Sequence, residues 1–427
     1  MAYCRAVYPE SGPGRPRLLI IVGLAAFVAW AAFGVLFAQM YGAQTPHGAG
    51  FDFELLLVGA RRIAAGQSPY DPAMLAGNAT GITELFYTYP PFIAQALLPV
   101  AGLPSIVVIA GFLAAAVASA AAALGSLAAH GLGLPRSLAV VMALVALPFW
   151  FPFTLALLFG NLDAVFIAAD GVLLAAVLGR SPSRRLVMIA GVALAIIAIA
   201  KLQPAVLGIW LVARGFRVRR FSRARDPGVA PATLLPAEWR VAAVALVAGV
   251  VVVAVSAVAG GVGVWADYLT MLRTGAGTSL LDPRNLGPAA QIAMRLELGP
   301  SAVAPIQVAI DIAAVAGVIA AALLIDDPIT SFTWALAGSL VVLPVTWFHH
   351  FAVLIVVLAA GIARAWSSGA AARRRAVIAG LAGFGIGVVG FGTVVAWLLL
   401  IPVLGAGRIA LGAAADRQAL PAISASG

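Results

Sequence analysis

The chain has 427 residues, 63% of them hydrophobic and 10% charged, with a formal net charge of +10 at pH 7 and a mean hydropathy of +1.06. Soluble globular chains carry roughly a quarter charged residues, so a soluble enzyme is excluded and a polytopic membrane protein is expected. The arginine excess is then read as loop asymmetry across a bilayer and not as a nucleic-acid surface, and the single cysteine, Cys4, excludes an internal disulfide framework.

Apolar runs of membrane length recur along almost the whole sequence, which predicts one transmembrane domain over residues 1–427, all-α, with about 11 helices. The opening "MAYCRAVYPESGPGRPR" is basic, and the run from Leu18 to about Met40 exceeds a signal-peptide core, predicting a retained first helix. The loop over 41–90 is mixed in sign, carrying Asp52, Glu54, Arg61 and Arg62 before the turn "SPYDP"; it is expected outside, with "PPFIAQALLPVAGLP" as an interfacial piece. A crossing from about Ser105 to Ala128 follows. Next, "SLAVVMALVALPFWFPFTLALLF" and "AVFIAADGVLLAAVLG" are expected to run out and back around the turn Gly160-Asn161-Leu162-Asp163. The stretch between Arg185 and Arg214 is too long for one untilted span of about 20 residues and too short for two. With basic flanks on both sides it predicts a hairpin of two short helices turning at Lys201 to Pro204. A second large external loop over 263–301 contains Asn285; Ala302 to Leu324 returns inward to Asp326 and Asp327, and Phe332 to Thr346 leads out to "TWFHHF". The clusters Arg5, Arg15 and Arg17, then Arg180, Arg184 and Arg185, then Arg214 to Arg225, and Arg364 with Arg373 to Arg375 are assigned to the cytoplasmic side.

This topology gathers a few polar residues on the outer face. Lys201 is the only lysine in the chain and sits inside an apolar segment. A charge at bilayer depth costs about 2.5–3.5 kcal/mol and calls for a cavity or a partner. A compact cation there suits a phosphate; the alternative is that it snorkels to the interface. Asp52 is suited to general-base work, with Glu54 as its rival, although a carboxylate near Phe53 also suits a helix N-terminus. His349 and His350 are readable as anion or sugar contacts or as core or interfacial histidines. Tyr89, Asn161, Asp163, Asn285, Arg61 and Arg62 complete the candidate substrate contacts. No Cys/His cluster has metal-site spacing and no nucleotide-binding loop or nucleophile elbow is present in the sequence, so neither cofactor nor metal is expected.

The ordered set Asp52, "ARRIAAGQSPYDP", "FYTYPPFIAQALLPVAGLP", "FGNLDAVF", "AIAKLQPAVL" and "WFHHF" resembles glycosyltransferase family 87, the mannosyltransferase-like membrane enzymes of GT-C fold. Gly160-Asn161 stands where members often carry Gly-Gln-x-Asn, here without the Gln. The resemblance implies inverting transfer of a sugar, such as mannose or another hexose or pentose, from a polyprenyl-phosphate donor to a lipid or glycan acceptor. It places that reaction at the outer face of a bacterial cell membrane, with Asp52 as base and Lys201 on the donor phosphate. The partners so implied are the donor, the acceptor and membrane lipids, with no nucleic acid. A transporter or flippase of lipid-linked sugars is the competing function, since it too tolerates intramembrane charge and broken helices.

Overall fold

The computed structural model of the protein describes residues 15–43, 48–77, 86–132, 134–179, 182–225, 235–275, 280–366, 370–389 and 393–406. Cys4, Arg5 and Arg180, and the side chains of Arg15, Arg17, Arg223 and Arg225, fall outside them. Among the described residues every regular element is helical. In chain order they are α1 (Arg15–Gly42), α2 (Phe51–Ala64), α3 (Pro72–Leu75), α4 (Pro91–Ala96), α5 (Ser105–Leu132) and α6 (Arg136–Ala146), then α7 (Phe151–Phe159), α8 (Asp163–Leu178), α9 (Arg184–Ala200), α10 (Ala205–Arg225), α11 (Ala237–Gly260) and α12 (Val262–Gly275), and finally α13 (Pro288–Arg295), α14 (Val303–Leu324), α15 (Pro328–Val341), α16 (Leu354–Trp366), α17 (Ala370–Val389) and α18 (Thr393–Leu398).

Several ends follow from local chemistry. Asp71 accepts from the Ala73 N–H at 2.8 Å ahead of Pro72, and Ser183 accepts from Leu186 N–H at 3.2 Å to start α9. Asp327 takes both the N–H and the hydroxyl of Thr330, with Pro328 opening α15. The expected break falls at Lys201 to Pro204 between α9 and α10, but α10, at 21 residues, runs past Arg214 and is not the short arm expected.

Among the described residues, five helical segments are long and apolar enough to cross a membrane, or six if one bent pair counts as a span. They identify a membrane protein. The bent pair is α6 with its 3-10 extension and α7, which meet at 78°, where the sequence predicted a single outward crossing. Pro148 and Pro152 stand at the bend; neither ring nitrogen can donate into a helical ladder. Other helices expected to cross, such as α8, α9 and α15, are short.

The span Phe348–Trp366 is 83% buried, whereas Ala237–Gly260 is 11% buried. α16 and the 3-10 turn before it therefore form the centre of the bundle, and α11 turns its valines (Val247, Val250, Val251, Val255) outward. α8 lies against α5, whose Ala116, Ala120 and Ala123 make a buried small-residue face that lets backbones approach. α2, α4 and the N-terminal ends of α5 and α8 meet where α9 turns into α10.

Candidate active site

Two left-handed glycines set the geometry. Gly50 (φ 77°) precedes α2 and Gly160 (φ 69°) ends α7, a conformation that strains any residue with a Cβ. A Cβ on Gly160 would lie 2.9 Å from that of Phe53 and 3.4 Å from the Gly50 Cα, and one on Gly50 would meet Ile109 at 2.8 Å. The Gly50 N–H bonds the Leu158 carbonyl at 2.8 Å. The start of α2 is thereby pressed against the end of α7, and Asp52 comes to face Asn161.

The Asn161 amide joins two halves of the site. Its Oδ1 accepts from Lys201 Nζ and from the Asp163 N–H, both at 3.0 Å, which fixes the amide so that Nδ2 donates to Asp52 Oδ2 at 2.6 Å. Lys201 also binds Asp163 Oδ2 at 2.7 Å. The lysine that is isolated in sequence is thus paired in space, with a carboxylate that is completely buried. It does not simply snorkel. Two of its three N–H donors are committed and the third remains for a ligand.

His349 and His350 enter from the 3-10 turn Phe348–Val353, pinned to α7 by the Trp150 indole N–H on the Ala352 carbonyl at 3.0 Å. Their Nε2 atoms lie 3.8 and 3.4 Å from Asp163 Oδ2. Both are buried, where an interfacial position was one expectation. Asp163, His349 and His350 offer three ligand atoms within 4.8 Å of one another, enough by count for a metal ion. The tautomer argues otherwise: His350 Nδ1 accepts the Trp347 N–H at 3.2 Å, so neutral His350 carries its proton on Nε2 and presents a donor to the site. With Lys201 beside it, the cluster suits an anion. Asp163 Oδ1 and His349 Nε2 are buried without partners, at a cost of about 1–3 kcal/mol each, as expected of positions kept for a polar ligand.

Asp52 is half-buried. Burial pushes its carboxyl up to about 6, opposed by the Asn161 hydrogen bond and the Lys201 charge and reinforced by Asp163. Tyr89 feels both Asp52 and Asp163; burial first, then those charges, push its phenol well above its usual range, so it stands at the site as a donor.

The other candidates separate from this group. Glu54 turns away, accepting from Ser105 Oγ at 3.1 Å and facing Arg61 at 3.8 Å. Arg62 holds its own loop through the Ser68 and Tyr70 carbonyls at 2.9 and 3.1 Å. Asn285 is fully enclosed: its amide binds the Leu280 and Pro344 carbonyls and the Gly287 and Thr346 N–H groups, clamping the segment that leads to His349. Sequence reasoning passed over Asp170, buried in mid-α8 with Oδ1 unpartnered, although a carboxylate within "AADGVLL" is itself a signal. Beside the charged group lies an apolar cavity of about 390 Å³, whose walls include Phe53, Leu162, Phe166, Ile197 and Ala200.

No curated protein sequence matches the chain. Residues 87–345 match glycosyltransferase family 87, a stretch that holds Tyr89, Asn161, Asp163, Lys201 and Asn285 and stops short of Asp52 on one side and His349 on the other. With more than half its length matched, and with membrane helices around a buried Lys–Asp–His cluster, the chain belongs to glycosyltransferase family 87.

Proposed function

We propose that this glycosyltransferase moves a hexose or pentose from a polyprenyl-phosphate donor to an acceptor hydroxyl with inversion, at the outer face of a bacterial inner membrane. The observation that carries the reading is the single Asn161 amide holding Asp52 on one side and Lys201 on the other. A base and a phosphate-binding cation are thereby kept at a fixed separation.

In the reaction the acceptor oxygen attacks the anomeric carbon, its proton passes to Asp52, and the bond from that carbon to the phosphate oxygen breaks. The electron pair leaves with the polyprenyl phosphate, whose growing charge meets the remaining Lys201 N–H and the His350 Nε2–H. One base suffices for a single displacement, so Glu54 is not required in the proton transfer. The cavity lined by Phe53 and Phe166 has almost no polar surface and opens beside Lys201, which fits an isoprenoid chain whose phosphate lies at the ammonium. The outer-face assignment rests on the arginine clusters at Arg184, Arg214 to Arg220 and Arg373 to Arg375. About 11 crossings and a GT-C arrangement follow if the short and bent helices also traverse the bilayer.

Purified Asp52→Asn and Glu54→Gln proteins, assayed with a polyprenyl-phosphate sugar donor, test the assignment. Asp52→Asn is expected to lose about 10²–10⁴ in turnover, while Glu54→Gln keeps the chemical step. A wild-type rate in Asp52→Asn beside an inactive Glu54→Gln would transfer the base role to Glu54.

A further inference from the structure

Gln203 lies buried two residues beyond Lys201, in the break between α9 and α10, and the proposed reaction makes no use of it. Its Oε1 makes no hydrogen bond among the described residues. Local structure offers that oxygen a use, since Gln203 stands just ahead of α10, whose first N–H groups lack helical partners. The backbone closes the turn instead. The Ala205 N–H bonds the Leu202 carbonyl and the Val206 N–H bonds the Gln203 carbonyl, both at 3.1 Å. A buried amide oxygen left without a donor costs about 1–3 kcal/mol, and no helix cap repays it here.

The break puts this amide on the same side of the chain as Lys201. Lys201 has extended backbone (φ −140°, ψ 114°), which sends successive side chains to opposite sides. The exposures alternate accordingly: Lys201 points in to Asp163, Leu202 is 61% exposed and Gln203 is 6% exposed. The Cα atoms of Lys201 and Gln203 are at most about 7 Å apart.

Two kinds of polar group then line this side of the site. The third N–H of Lys201 and the Nε2–H of neutral His350 are donors, which suit a phosphate. Asp163 Oδ1 and Gln203 Oε1 are acceptors without hydrogen bonds, which repel phosphate oxygens and call for hydroxyl donors. Resting on the transferase reading above, we infer that Gln203 binds the donor's sugar ring, its Oε1 accepting from the hydroxyl on the carbon next to the anomeric one. With the phosphate on Lys201, that hydroxyl is the ring hydroxyl nearest the phosphate, and Gln203 is the next inward polar side chain along the break. A hydrogen bond of this kind reads both the presence and the configuration of the hydroxyl, so Gln203 separates donor sugars that are epimers at that carbon.

Binding affinity tests this without an acceptor. Purified protein in nanodiscs is titrated with polyprenyl phosphate, with its mannosyl, glucosyl and arabinosyl derivatives, and with the 2-deoxy-2-fluoro form of whichever derivative binds tightest. The fluorine cannot donate a hydrogen bond. Wild type is expected to bind the hydroxy form about tenfold more tightly than the fluoro form, the effect of one buried hydrogen bond. Gln203→Met, similar in volume but without the amide, should bring the two within about twofold and bind bare polyprenyl phosphate like wild type. Gln203→Asn, which withdraws the amide by one methylene, serves if Gln203→Met does not fold. A wild-type preference kept in the variant, or no preference in wild type, overturns the inference, and with polyprenyl phosphate still bound it leaves the transferase reading standing. Equal losses on the fluoro form and on bare polyprenyl phosphate also overturn it, since Gln203 then only shapes the break. Failure of wild type to bind polyprenyl phosphate or any sugar derivative removes both readings.

Discussion

Two clusters of buried charge lie at opposite ends of the bundle, and they are finished differently. At the Arg214 end most groups are tied to one another, although Arg214 Nε and the nearby Arg240 Nε are buried without a hydrogen bond. Arg214 spends its terminal nitrogens on the Ile325 and Asp326 carbonyls at 3.1 and 2.8 Å, with Glu238 at 3.9 Å from Nε. Arg217 pairs with Asp326, and Arg364 pairs with the same Asp327 that caps α15. At the Asp52 end, Asp163 Oδ1 and His349 Nε2 make no hydrogen bond among the described residues and Lys201 keeps a donor in hand. The first cluster ties α10, α11, α15 and α16 together. Both ends leave polar atoms without hydrogen bonds, at a cost to folding; at the second, the Asp163, His349 and His350 atoms converge within 4.8 Å of one another beside Lys201, where one charged substrate could meet them together.

If that contrast is right, equivalent insults at the two ends give different phenotypes. Asp52→Asn has the largest effect, about 10²–10⁴ on turnover, and leaves thermal unfolding of the purified protein where it was. Asp327→Ala does the reverse. It removes a helix cap and the ion pair to partly buried Arg364, costing on the order of 3 kcal/mol of stability, seen as a lower unfolding temperature with normal turnover per folded molecule. Loss of turnover without loss of stability in Asp327→Ala would dissolve the distinction between the ends.

The acid limb of kcat/KM sharpens the comparison further. The base must be ionised to accept a proton, and Asp52 sits at about 6, so the rate falls as pH drops through about 6. Asn161 and Lys201 both hold that value down. Asn161→Ala therefore moves the limb to higher pH, whereas Asp327→Ala leaves it in place. A limb unmoved in Asn161→Ala would mean that Asn161 does not tune the base.

Helix positions were legible where arginine clusters, prolines and caps marked them: α5 begins at Ser105 and α14 ends at Leu324 as expected, and the α9–α10 break falls at Lys201. The 78° bend at Trp150 was not foreseen, because an unbroken apolar run outweighed Pro148 and Pro152. The residues of the proposed site were legible as types out of place, an aspartate, a lysine and a histidine pair amid apolar residues. Their pairing was not, because Lys201 and Asp163 lie 38 positions apart, and Asp52 and Asn161 109 apart. Nor does sequence separate a substrate contact from a clamp. Asn285 became a clamp through local bonds to Leu280 and Gly287 joined to bonds with Pro344 and Thr346, and only the folded chain supplies the last two.

The central claim is a division of labour across the Asn161 amide, with phosphate on the Lys201 side and proton transfer on the Asp52 side. Because Lys201→Met alone would strand buried Asp163, the direct measurement is the affinity for polyprenyl phosphate of wild type, Asp52→Asn and the neutral double variant Lys201→Met with Asp163→Asn. Hydrogen bonds to charged groups contribute about 1.5–3 kcal/mol, so the double variant is expected to bind at least tenfold more weakly and Asp52→Asn to bind like wild type. Unchanged binding in the double variant, with binding lost in Asp52→Asn, would contradict the account.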